Sequence, residues 1–164
     1  MTIPPIRKSV TVPLSPEAAF RLFTEGMGGW WPGGTHSVSA GMGGKPHAIT
    51  VTPGKGGHIT EETPDGRKAR WATVTAFQPG ARFAFQWHVG QDEDEVEPTE
   101  VEVTFTPVDQ GTRVDLVHDG FARRGKTAAV ARGAYGEAWG FVLGRFVAAG
   151  RVGAVGVMAG YVQA

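Results

Sequence analysis

The sequence predicts one α+β domain, an antiparallel sheet closed over by a long C-terminal helix. Three observations carry that expectation. Residues 6–12 alternate as a strand and lead into a sharply capped helix. The middle of the chain reads as three successive hairpins. From Lys126 onward the apolar period changes from two residues to between three and four. A curved sheet resting on one helix leaves space between them, and an apolar pocket is expected there.

The first helix is signalled by Ser15 as N-cap, Pro16 at the first helical position and Glu17 in the first turn. Ala19, Phe20 and Phe23 form its apolar stripe, and Gly26 ends it. Residues 26–46 are Gly-rich around Trp30-Trp31-Pro32 and read as a short helix plus a mobile loop over the cavity mouth. The hairpins join about 47–52 to 57–62, 70–77 to 82–89, and 99–106 to 112–118, each through a Pro/Gly turn. Between the last two, Gln91 to Glu95 is an acidic run expected as a solvated loop.

Because side chains alternate across a strand, the turns predict which residues share a face. In the second hairpin Ala72 pairs with Trp87, Val74 with Phe85 and Ala76 with Phe83, which turns Trp87 inward and Trp71 away. In the third, Val101, Val103 and Phe105 lie with Val114, Leu116 and His118. In the first, Ile49, Val51 and Ile59 point inward and carry His47 and Glu61 with them.

The C-terminal helix shows Ala131, Tyr135, Ala138, Trp139, Val142 and Phe146 as a stripe through about Ala148. Gly136, Gly140 and Gly144 form a second row. Each costs about 1 kcal/mol relative to Ala, so the row reads as close packing of the helix on its own sheet, with a homodimer seam as the alternative. The expected organisation is a single domain over residues 1–150 followed by a Gly/Ala-rich tail, 151–164.

Composition removes several function classes. Sixteen basic residues balance sixteen acidic ones, so no field draws in nucleic acid or an anionic membrane. The chain has no Cys, which excludes disulfides, thiolate nucleophiles and Cys-ligated zinc. With neither a signal pattern nor an apolar run of about 18 residues, a cytoplasmic location without membrane insertion is expected. The five His lack metal-site spacing, so neither metal nor cofactor is expected.

Val10 to Phe20 resembles the opening of the SRPBCC (START/Bet v 1-like) superfamily, in its bacterial branch similar to the activator of Hsp90 ATPase. Gly26 to Pro32, Pro53 to Gly57 with Glu61, Phe83 to Trp87, Gly111 to Val114, Leu116 to Phe121 and Tyr135 to Phe146 extend the resemblance over about residues 6–148. It implies a helix-grip fold with a cavity between sheet and last helix. It carries over no fixed catalytic motif, since such proteins include lipid carriers, polyketide binders, cyclases and aromatases.

Gly120 to Thr127 matches the phosphate-loop pattern GxxxxGK[ST]. Its bulky Phe121, Arg123 and Arg124, and the antiparallel hairpin before it, argue against a nucleotide site. Arg123, Arg124 and Lys126 read instead as a solvated turn. The expected ligand is a small hydrophobic or aromatic molecule. Trp87, Trp139, Tyr135, Val142 and Phe121 form its apolar walls, and His118 and Glu61 orient polar groups. His118 and Glu61 are also the acid/base candidates should the chain be a cyclase- or hydrolase-type enzyme. Each has a structural alternative, as a core histidine or as a carboxylate bonded to His47, a Trp N–H or loop backbone. An Hsp90-type chaperone partner ranks last, for want of a second domain or a charged docking stripe.

Overall fold

The computed structural model describes residues 3–88 and 97–163, with side chains through Gly153. The acidic run at 91–95 lies outside the described residues. The alternating segment at the N-terminus forms β1 (Ile6–Val12). Ser15 Oγ accepts from Ala18 N at 3.2 Å and starts α1 (Pro16–Thr24). Two one-turn helices follow, α2 (Met27–Trp30) and α3 (Val38–Gly41), so the Gly-rich segment holds one helix more than expected.

A six-strand meander comes next: β2 (Ala48–Val51), β3 (His58–Glu62), β4 (Lys68–Gln78), β5 (Arg82–Trp87), β6 (Thr99–Val108) and β7 (Gly111–Asp119). β1 pairs antiparallel with β7, giving one seven-stranded curved sheet in the order β1-β7-β6-β5-β4-β3-β2. A 3₁₀ helix, Phe121–Thr127, leads into α4 (Ala128–Gln163). This is the α+β helix-grip arrangement. α4 runs on past Gly150, through residues expected as a tail. No helix among the described residues is long and apolar enough to cross a membrane.

Third-hairpin parity matches the expectation: Val101 faces His118, Val103 faces Leu116 and Phe105 faces Val114. The second hairpin departs from it. A bulge between Val74 and Ala76 sets Ala76 against Ala84 and brings Phe77 opposite Phe83. Phe77 then joins Phe20, whose ring centroid lies 5.1 Å away.

A second bulge corrects the reading of Trp71. Ile59 pairs with Ala72 but Thr60 with Arg70, so Trp71 is the extra residue and strict alternation fails there. Trp71 and Ala72 are both buried. The first hairpin also differs, because Glu61 faces Ile49 and His47 lies beyond β2, exposed, with Nε2 3.3 Å from Pro64 O.

Trp139, Val142, Leu143 and Phe146 form the buried stripe of α4. The glycine row is the other correction. A Cβ built at Gly136, Gly140 or Gly144 meets nothing within 4 Å, so these residues do not rest on the sheet. The close approach is at Gly150, where a Cβ would come 2.9 Å from Val12 Cγ1 of β1.

Candidate functional site

An aromatic pocket lies between β5, α4 and the segment joining α2 to α3. Its volume is about 140 Å³, and Trp31, His36, Trp87, Tyr135, Ala138, Trp139 and Val142 line it. Trp87 ends β5 on the inner face, as alternation requires, and Trp139 and Val142 come from the buried stripe of α4. The indoles pack in tilted pairs, with Trp87 5.6 Å from Trp139 and 6.1 Å from Trp31 between ring centroids. The Trp87 indole nitrogen is buried and has no hydrogen-bond partner among the described residues. An indole N–H can only donate, and leaving one unbonded in the interior costs about 1–3 kcal/mol.

The sequence-predicted residues divide into two groups. Trp87, Tyr135, Trp139 and Val142 reach this pocket. His118, Phe121 and Glu61 are not among its lining residues. Phe121, fully buried, lies tilted against His118 with ring centroids 4.5 Å apart and 6.1 Å from the Tyr135 ring, behind the pocket wall.

His118 is fully buried and both ring nitrogens are engaged. Trp139 Nε1 donates to Nδ1 at 2.9 Å, and Nε2 lies 2.7 Å from Thr99 Oγ1. An acceptor at Nδ1 places the imidazole proton on Nε2, pointing at Thr99. Burial, and secondarily the nearby Arg124 guanidinium, lower the His118 pKa from 6.5 to about 3. Protonating Nδ1 would also set one N–H against another. His118 is therefore a neutral imidazole at physiological pH, and its lone pair already accepts from the pocket's Trp139.

Glu61, also fully buried, is saturated in the same way. Its carboxylate accepts from Val38 N at 2.9 Å, Ser39 N at 2.7 Å, Ser39 Oγ and Trp71 Nε1 at 2.8 Å. The two amides belong to the first turn of α3, where unbonded N–H groups favour an anion. Glu61 thus ties the Gly-rich segment to β3, and Trp71 Nε1 rather than His47 completes the set.

Three pocket residues, Trp31, His36 and Ala138, are not among those the sequence assigns to the site, although Ala138 stands on the predicted stripe of α4. His36 lies in a turn with no periodicity to place it. It is held by Trp31 Nε1, which donates to His36 O at 2.6 Å, and its ring stacks on Phe141 of α4 at 5.2 Å. The sequence places Trp31 at the mouth, and the structure makes it one wall. Its ring lies 4.9 Å from that of Trp71.

The phosphate-loop match folds into the 3₁₀ helix, kinked at Gly125. Arg123 donates to Pro98 O at 2.9 Å and to Glu100 at 3.2 Å, bracing the sheet rather than facing a phosphate cradle. Among the described residues, no group of three or more His, Asp or Glu side chains is placed to hold a metal ion.

A curved antiparallel sheet gripping one long helix, with a pocket between them, defines the START-like helix-grip class. The chain belongs to the family of activator of Hsp90 ATPase homolog 1-like proteins, whose model matches residues 13–149. Among solved structures it is similar to Txn09, an anthrahydroquino-gamma-pyrone synthase complexed with SUM, at 31% identity. That match covers 88% of this chain and 96% of the other, with a TM-score of 0.60. The Aha1 dimer from Colwellia psychrerythraea is similar at 18% identity, 92% and 98% coverage and a TM-score of 0.64. Protein MLL2253 from Mesorhizobium loti matches at 17% identity, 87% and 93% coverage and a TM-score of 0.57. No curated protein matches the sequence.

Proposed function

We propose that this protein binds a small aromatic molecule, one ring of which enters the Trp31–Trp87–Trp139 pocket. The observation that carries this reading is a pocket walled by Trp31, Trp87, Tyr135 and Trp139, in which the Trp87 side chain also holds a buried N–H with no partner among the described residues. An apolar cavity of roughly 150 Å³ accommodates benzene, so the pocket as it stands takes a single ring. The second ring of a bicyclic ligand would stand in the pocket mouth, and a larger polycycle would need the Trp31–Ser37 turn to move outward. The ligand would carry an acceptor, a carbonyl or phenolic oxygen, to meet the indole N–H.

The test is titration of tryptophan fluorescence with 2-naphthol as probe. Saturable quenching is expected, and Ala138→Leu, which fills the pocket from α4, should abolish it while leaving the thermal transition in place. Trp87→Ala and Trp139→Ala should both weaken binding. Binding unchanged in all three variants would overturn the pocket assignment.

A second reading, an enzyme acting on an aromatic polyketide, is favoured by the 31% identity to a pyrone synthase. On that reading His118 and Glu61 remain the acid/base candidates by type, but their hydrogen bonds favour positioning roles. His118 would set the Trp139 wall, and Glu61 the covering turn. Turnover that collapses in His118→Ala while 2-naphthol still binds would favour this reading over simple binding.

A further inference from the structure

The outer face of α4 carries a palindrome. Among the described residues, the exposed large hydrophobics are Met42, Val130 (76%), Phe141 (52%) and Val152 (71%), and three of these four stand on this helix. Val130 and Val152 lie eleven positions either side of Phe141. At 100° per residue that is three turns, about 16 Å in each direction, and it returns to nearly the same face. Between them the same reflection pairs exposed Ala134 with Ala148 and exposed Glu137 with Arg145. All seven residues fall within about 40° of the line through Phe141. Among the described residues, neither Glu137 nor Arg145 has an ion-pair partner within the chain. Gly140 and Gly144, which have open space where a Cβ would stand, lie about 100° and 60° to one side of the line through Phe141 and flank the face rather than form it.

The geometry points to this face as a seam for a second copy of the chain. The two α4 helices run antiparallel about a two-fold axis at Phe141. A two-fold contact requires a self-complementary surface, in which residue i meets j and j meets i. Here Val130 meets Val152, Ala134 meets Ala148 and Glu137 meets Arg145, each pair occurring twice, while Phe141 meets its own copy. The acid and base fall opposite each other only in the antiparallel arrangement. A parallel pairing would set Glu137 against Glu137 and Arg145 against Arg145. Because His36 stacks on Phe141, the seam lies against the lip of the aromatic pocket.

Sedimentation velocity on the full chain tests this, with charge reversal as the probe. The wild type should show a concentration-dependent dimer. Glu137→Arg and Arg145→Glu should each weaken it by about ten-fold or more, from like charges facing across the seam. The combined Glu137→Arg/Arg145→Glu variant should restore it. All these positions are exposed, so loss of folding does not confound the result. The chain has no Cys, so Phe141→Cys should form a disulfide-linked dimer on mild oxidation, whereas Ala129→Cys, off the stripe, should not. A monomer up to high micromolar concentration, or a dimer indifferent to both charge reversals, overturns the proposal.

Discussion

Glu61 and His118 occupy the buried side of the sheet as Trp87 does, yet their surroundings differ in kind. Four donors surround the Glu61 carboxylate, and both nitrogens of His118 are bonded. Trp87, beside the open volume, holds a buried N–H with nothing among the described residues to receive it. Buried polar groups are normally satisfied, so a saturated one marks architecture and an unsatisfied one beside a cavity marks a place for something to arrive. Residue type alone pointed the other way, since a histidine and a glutamate look more chemical than a tryptophan.

The largest effect should come from breaking the saturated side. Glu61→Ala strips the acceptor from Trp71 Nε1, two backbone amides and the Ser39 hydroxyl. It should lower stability by about 3 kcal/mol or more, each stranded buried donor costing roughly 1–3 kcal/mol before relaxation. Chemical denaturation measures this. A loss below about 1 kcal/mol would mean that water replaces the carboxylate easily and that Glu61 is not a structural pin.

His118 gives the next effect, and its sign follows from its lowered pKa. Between about pH 3 and 6.5 the unfolded chain binds a proton at this residue and the folded chain does not. The contribution is therefore fully present above pH 6.5 and is lost as pH falls, at about 1.4 kcal/mol per unit. Denaturation midpoints measured from pH 7 to pH 5 should show that slope, and His118→Gln should reduce it. A slope unchanged in His118→Gln would show that other groups govern acid sensitivity and that His118 is not the neutral, saturated group described above.

The contrast also shows what local sequence rules can reach. β1, the Ser15 cap and the third hairpin were legible because alternation and capping act over a few residues. Trp71 was misplaced because one bulge residue inverts parity, and nothing in Arg70-Trp71-Ala72 announces a bulge. The pocket walls from β5 and α4 followed from periodicity. His36 did not, since its position depends on a turn folded back through Trp31. The glycine row was visible, but only the three-dimensional course of α4 shows that its contact with β1 falls at Gly150. His118 and Glu61 are turned inward as expected, yet their partners come from β6, α4, β4 and the first turn of α3, elements whose approach no spacing rule encodes.

The smallest effect discriminates best. Trp87→Phe keeps an aromatic wall and removes only the unpartnered N–H together with part of the indole. In the ligand-free protein two changes oppose each other. Some apolar burial is lost, and a buried donor costing about 1–3 kcal/mol is no longer stranded. Stability should therefore move by less than about 1 kcal/mol. Affinity for 2-naphthol, whose hydroxyl oxygen can accept from the indole, should fall by about five- to ten-fold, the worth of one buried hydrogen bond. Naphthalene, lacking the oxygen, should bind both proteins alike. A large stability loss with unchanged 2-naphthol affinity would place Trp87 with Glu61 and His118, as a piece of the frame rather than the point where a ligand is read.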